Sequence, residues 1–421
     1  MESERDALVE FKRGIRIDRC GLLDSWGITQ DCCMWHGIQC HNHSGHVTAL
    51  SLPTLINYTS DMLLPCLQGT IGESILGLKQ LKYIDLSHND FGGKLPKFIG
   101  SLSNLEYLNL SYVRFTGVIP QEIGNLSKLT YLGLNGNYMR VENLRWLSQL
   151  RLLREVELGG NDLSLATNSW LSSVNNLPFL QVLGLNNCNL SLKLSSSLSY
   201  INSSTTLGTI TLQGNNLNDT SIFEWLSNLN GLETSLTYLD LSFNNHLFES
   251  NFQGTGYAMN LLGNLCSLQS LLLYNTSLNY NFLHIIESLS LCTYKSLENL
   301  DLAVNQVWGS IPDNIGNLSY LREFNIDNNQ LNGTISEALG GLSMLDTLGL
   351  SGNSLKGVFT SAHLSNLSNL SSLNLALNTE LVVNISANWV PPFQLDILSL
   401  ESCKVGPDFP KKLNHYYYIQ H

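Results

Sequence analysis

Along Leu297–Phe359 the apolar positions fall in one frame, written nearly three times. Leu297, Leu300 and Leu302 lead to Asn305; Leu321, Phe324 and Ile326 to Asn329; Leu345, Leu348 and Leu350 to Asn353. The units start 24 residues apart. A fixed period of this size predicts a solenoid, in which no coil buries its apolar side alone and each does so against its neighbours. The same frame starts at Leu81, Leu105, Leu129 and Leu153, then at longer intervals at Leu180, Leu207, Leu236 and Leu268, and regularly again to Leu370 and Leu395. Val47, Leu50, Leu52 and Leu55 open it as a degenerate unit, giving about fourteen over residues 47–413. The long units of 180–297 predict extra residues on the convex side or the rims. Asn244–Leu265 reads there either as a looped-out insert or, preferred, as a slightly long helical or 3₁₀ connector.

The ninth position of the frame is Asn89, Asn137, Asn161, Asn215, Asn244, Asn305, Asn329, Asn353 and Asn378, with Val113, Cys188, Thr276 and Cys403 at the others. An amide there can bond turn backbone that burial would otherwise leave unsatisfied. Val113 cannot donate and predicts a local weakness; Cys188 and Cys403 read as buried thiols. L-x-x-L-x-L-x-x-N is the leucine-rich-repeat signature.

Ahead of the frame, Ser3–Lys12 predicts an amphipathic helix with Ala7, Leu8 and Phe11 on one face, opened by the S-x-x-D pattern of Ser3 and Asp6. It reads as the cap that a solenoid end needs, with Leu22, Leu23 and Trp26 packing beneath it. Cys32, Cys33 and Cys40 follow, among His36, His41, His43 and His46. Adjacent cysteines fit zinc-ligand spacing poorly, so a disulfide-stapled cap over residues 1–46 is preferred, with no metal and no cofactor.

Charged residues make up 13% of the chain and the net charge is −12, so no basic face is available to neutralise nucleic-acid phosphates. Asn and Ser supply the polar surface, which suits an exported glycoprotein. Thirteen N-x-[ST] sequons stand at Asn42, Asn57, Asn109, Asn125, Asn189, Asn202, Asn218, Asn275, Asn317, Asn332, Asn366, Asn369 and Asn384; in an exported chain more than half are expected to carry glycans. Asn109, on a strand face, would crowd the concave surface. No apolar run is long enough to span a membrane. Met1–Arg5 is charged rather than a leader, and the chain is expected to lack its natural start.

These residues carry a family resemblance. E-R-x-A-L-x-x-F-K at Glu4–Lys12, C-C-x-W-x-G-[VI]-x-C at Cys32–Cys40 and G-H-V at Gly45–Val47 resemble the plant-type N-terminal cap of leucine-rich-repeat receptors. The run x-[LF]-x-G-x-[IL]-P, as at Phe91–Pro96 and Phe115–Pro120, resembles the plant repeat subclass, which adds a second short strand and twists the horseshoe into a superhelix. Asn388–Leu395 and Ser402–Lys411 resemble receptor-like proteins of the fungal xylanase (elicitor) receptor subgroup. The resemblance implies an α/β solenoid with short parallel strands on a concave face. It implies a Cys33–Cys40 disulfide and leaves Cys32 without its usual partner, for which Cys20 stands in. It covers the chain to about Leu413; residues 414–421 carry no repeat pattern and look like a truncation. It further implies the ligand-recognition part of a plant receptor-like protein, at the extracellular side of the plasma membrane, binding a protein or peptide elicitor in defence signalling with a co-receptor kinase. A soluble cell-wall inhibitor of microbial glycanases, or a truncated product without a signalling role, are the alternatives.

An enzyme is not expected, because no nucleophile elbow, zinc-helix or phosphate-loop motif is present. The x positions of the frame point to binding instead: Tyr83, Asp85, Tyr107, Tyr131, Glu155, Glu157, Tyr238, Asp240, Glu298, Asp301, Arg322 and Asp346. Tyr83, Tyr107 and Tyr131 form a column one coil apart and are the expected anchor. The acidic excess points to a neutral or basic partner.

Overall fold

The computed structural model describes residues 2–54, 64–167, 169–191, 206–218, 221–228, 236–248, 252–292, 296–406 and 410. The chain divides into two compact units, Met1–Leu207 and Gly208–His421.

Unit 1 opens with helix α1 (Glu2–Arg13), which buries Leu8 and Phe11. Phe11 meets Trp26 at 6.1 Å, and Trp26 stacks on Trp35 at 5.4 Å. The Lys12 ammonium donates to the carbonyls of Leu23 and Trp26, tying the helix to the turn beneath it. The strands follow: β1 (Ile15–Asp18), β2 (Ile38–Cys40), β3 (Val47–Ser51), β4 (Leu67–Gly69), β5 (Tyr83–Asp85), β6 (Tyr107–Asn109), β7 (Thr116–Val118), β8 (Tyr131–Gly133), β9 (Tyr138–Arg140), β10 (Glu155–Glu157) and β11 (Val182–Gly184), with the short helix α2 (Trp170–Val174) before β11. The main sheet of this unit runs β2-β3-β5-β6-β8-β10-β11; it is antiparallel at β2–β3 and parallel thereafter. β7 and β9 pair in a second, lateral sheet, and β1 pairs antiparallel with β4.

Unit 2 carries β12 (Thr209–Thr211), α3 (Ser221–Asn228), β13 (Tyr238–Asp240), α4 (Phe252–Gly263), β14 (Ser270–Leu272), α5 (Phe282–Leu289), β15 (Asn299–Asp301), β16 (Trp308–Ile311), β17 (Glu323–Asn325), β18 (Gln330–Ile335), β19 (Thr347–Gly349), β20 (Lys356–Phe359), β21 (Ser372–Asn374), β22 (Glu380–Val383), β23 (Ile397–Ser399) and β24 (Lys404–Val405). Its main sheet is parallel in the order β12-β13-β14-β15-β17-β19-β21-β23, with lateral sheets β16-β18 and β20-β22-β24.

Connector length sets the connector's form. Coils of 24 residues return through 3₁₀ turns such as Lys97–Ser101 and Gln121–Asn125, whereas the long coils return through α3, α4 and α5. The connector after Asn244 is helical over Phe252–Gly263. Neighbouring turns approach closely: a Cβ at Gly100 would lie 2.1 Å from the Glu122 carbonyl oxygen, so only glycine lets the coils stack there.

The asparagines clasp neighbouring coils. Asn137 Nδ2 donates to the carbonyls of Leu110, one coil back, and Leu134, in its own coil, both at 2.9 Å, while its Oδ1 accepts the Phe115 amide. Asn161, Asn329, Asn353 and Asn378 repeat this arrangement. At three of the four positions without asparagine the next residue turns left-handed: Arg114, Asn189 and Ser277, after Val113, Cys188 and Thr276, take φ of 64°, 54° and 58°. The Val113 carbonyl then accepts the Phe91 and Gly92 amides. Main chain thus takes over the acceptor half of the asparagine's role at Val113, not the donor half.

Three disulfides staple the described chain: Cys20–Cys66, Cys33–Cys40 and Cys266–Cys292. The expected Cys20–Cys32 pairing is corrected. β1 runs beside β4 and carries Cys20 to Cys66, whereas Cys32 is a buried free thiol within the cap. Cys188 and Cys403 are thiols outside the disulfides, the first buried and the second half-buried; their sulfurs lie against carbonyls, at 3.4 Å from Asn186 and 3.0 Å from Leu375. No helix among the described residues is long and apolar enough to cross a membrane.

Candidate ligand-binding face

Each main-sheet strand of three residues turns its middle side chain into the core and its outer two to the open face. In β5, Ile84 is fully buried while Tyr83 and Asp85 are half-buried. Parallel pairing sets the coils in strict register, Tyr83 opposite Tyr107 and Tyr107 opposite Tyr131. The rings stack face to face, with centroids 4.2 and 4.3 Å apart and planes within 9°. That separation is slightly below the usual interstrand spacing, so the column consumes its internal ring faces and presents edges and hydroxyls. Burial, with the neighbouring hydroxyls and Asp85, pushes the Tyr107 phenol far above its ordinary range. Burial and Glu157 push Tyr131 up to about 12. The hydroxyls are therefore neutral donors at any physiological pH.

Asp85 stands beside the column, and one of its oxygens accepts from the Ser87 amide and hydroxyl. Asp240 and Asp301 accept in the same way from the Ser242 and Ala303 amides. These carboxylates hold the turn after the strand; Asp301 is also hydrogen-bonded to Asn325, and Asp240 is buried. Glu155 and Glu157 extend the face on β10, next to Tyr131 and Gly133. Glu157 folds over Gly184, accepts from Asn135 Nδ2 at 3.1 Å, and is held above the ordinary carboxylate range by burial.

In unit 2, Tyr238 and Asp240 lie on β13 and Asp301 on β15. Glu298, Arg322 and Asp346 are placed differently from the strand-face expectation: each precedes its strand by one residue. There Arg322 Nε pairs with Glu298 at 3.1 Å along the rim. Sequence reasoning passed over Asp327, which stands two residues beyond β17's outward Asn325. Burial raises its carboxyl, and Asn374 Nδ2 donates to it at 3.2 Å. The slot two places after the last outward strand residue was the available signal. It also holds Ser87, Ser111 and Asn135. A second stack, His88 on Tyr112 at 4.7 Å, was missed because it depends on left-handed turn residues, φ 58° and 57°.

Residues 1–41 match the leucine rich repeat N-terminal domain, and 80–102, 103–163, 296–318 and 320–342 match leucine rich repeat models. The chain belongs to the leucine-rich-repeat proteins. Its relatives are plant receptor-like proteins: it is 34% identical to receptor-like protein EIX1 and 35% to receptor-like protein EIX2, both of Solanum lycopersicum, over 99% and 98% of its length. It spans about half the length of each, 49% and 48%. Among solved structures it is similar to PEPR1–AtPEP1 (TM-score 0.64, 25% identity, 99% of this chain and 60% of that one) and to a TDR receptor (TM-score 0.66, 26%, 82% and 56%).

Proposed function

We propose that this chain is an extracellular recognition segment of a plant receptor-like protein and binds a protein or peptide elicitor on its main-sheet face. The in-register Tyr83–Tyr107–Tyr131 column carries this reading. Three half-buried phenols, locked against one another, offer contact area and donors at little further cost in side-chain entropy. The acidic residues beside them, Asp85, Glu155 and Glu157, suit a neutral or basic ligand. Tyr238, Asp240 and Asp301 form the corresponding part in unit 2. Support for the receptor reading comes from the relatives named above; a co-receptor kinase would carry the signal.

Export would expose the sequons. Asn125, Asn317, Asn366 and Asn369 are exposed next to connector turns, and we assign glycans to them. Asn109 lies on β6 with its Oδ1 held by the Ser111 amide, so it is the sequon least suited to modification. Asn57 and Asn202 lie outside the described residues.

Calorimetric binding of a fungal xylanase to the purified chain tests the reading. Tyr107→Ala should weaken binding by tenfold or more, since truncating an aromatic anchor costs about 2 kcal/mol. Tyr107→Phe keeps the stack and should weaken it less. Unchanged affinity in a Tyr83→Ala/Tyr107→Ala/Tyr131→Ala variant would remove the column from the site. Inhibition of the xylanase on binding would favour the wall-inhibitor alternative.

A further inference from the structure

A cavity of about 390 Å³ opens on unit 1 away from the tyrosine column, between the β1–β4 pair and the turn at Asp90–Pro96. Its size falls at the small end of ligand pockets. Two cations line it: Arg16 from β1 and Lys94 from the turn. Among the described residues, neither side chain makes an ion pair or a hydrogen bond. Arg114 pairs with Asp90 at 3.0 Å, and Gln68 Nε2 donates to the same Asp90 oxygen at 3.1 Å. The one carboxylate in the lining is thus already neutralised, and the cavity keeps a net positive charge within a chain of net charge −12.

The rest of the lining is mixed. Phe91 and Phe115 are nearly fully buried and, with Pro96, give an apolar wall. Thr70 and Gln68 give polar edges. Gly93 leaves its side open: a Cβ there would meet nothing within 4 Å. Lys94 is braced, since its stem runs 3.3 Å from where a Gly117 Cβ would stand. The bridges Gln68–Asp90 and Lys94–Thr116 anchor both edges to neighbouring coils, so the cationic pair sits on ordered backbone.

We infer that this lateral cavity is a second binding site, for a small hydroxylated carboxylate such as a sugar acid. Arg16 and Lys94 would take the carboxylate, with a guanidinium fork and a point charge. The Thr70 hydroxyl and Gln68 amide would meet ligand hydroxyls, with Pro96 and the buried Phe91 and Phe115 closing the apolar side of the cavity. The site is independent of the elicitor reading of the main-sheet face.

Saturation-transfer NMR and calorimetry of the full chain with glucuronate, with glucose as the neutral control, test the inference. Glucuronate should bind, weaken as salt rises, and lose at least tenfold in affinity in Arg16→Gln/Lys94→Gln. Glucose should not bind. Both replaced side chains are exposed and, among the described residues, make no ion pair or hydrogen bond, and glutamine keeps most of each aliphatic stem, so the variant's melting temperature should stay close to that of the wild type. Tyr107→Ala should leave glucuronate binding intact, which separates this site from the column. No glucuronate binding, equal binding of glucose, or unchanged affinity in the double variant would each overturn the inference.

Discussion

At the scale of single residues, the asparagine ladder carries more than its size suggests. Asn137 is 1% exposed and joins two coils through four hydrogen bonds to main chain. Asn137→Ala should lower the unfolding free energy by about 3 kcal/mol, because it strands buried carbonyls and an amide as well as removing the bonds. Denaturant unfolding measures this; a loss under about 1 kcal/mol would show that water or main chain takes over. The position of every ladder asparagine was legible, because the role follows from a nine-residue frame. What happens at Val113 was not. The remedy there is a left-handed Arg114, a conformation that costs roughly 1–2 kcal/mol and has no signature in residue type. The turn role of Asp85, Asp240 and Asp301 was equally hidden, since an outward carboxylate reads the same whether it serves a ligand or the next amide.

Secondary elements and their staples form the next scale. The Cys20–Cys66 bridge closes a 46-residue separation between the end of β1 and the start of β4. By the chain-entropy relation its removal should cost about 4 kcal/mol. A Cys20→Ser/Cys66→Ser variant is therefore expected to melt well below the parent. A shift no larger than that of Cys33→Ser/Cys40→Ser, which closes a separation of only 7 and is worth about 2.4 kcal/mol by the same relation, would show that β1–β4 pairing holds the segment without it. The pairing was misjudged for a topological reason. Cys20 and Cys32 are close in sequence, but β1 turns antiparallel along β4 and brings Cys20 to Cys66, while Cys32 stays buried as a thiol. Connector helices followed coil length more simply. Residues beyond the 24-residue coil have room only outside the strand layer, where α3, α4 and α5 lie.

Over the whole molecule, the acidic balance has a consequence for stability. Burial raises the carboxyls of Glu157, Asp301 and Asp327 above their ordinary values. A raised carboxyl means the folded state holds protons that the unfolded chain has released, so stability falls as pH rises through the shifted range. These three carboxyls should accordingly favour the fold more near pH 5 than at pH 7, against His88, whose imidazole burial holds below its ordinary range so that it costs stability as pH falls. A Glu157→Gln/Asp301→Asn/Asp327→Asn variant should flatten that dependence in thermal melts; an unchanged slope would place the effect elsewhere. The sequence by itself determined the coil period, the inward leucines, the ladder and the tyrosine column, since each is a matter of spacing within one coil. Tertiary structure alone decided which side chains stack and which pair across the rim. It also brought Cys20 to Cys66 and opened a charged cavity between β1–β4 and a turn more than seventy residues beyond Arg16. The physical reason is the same throughout. Periodicity states what a residue faces within its own coil, whereas partners in other coils depend on how the backbone between them turns.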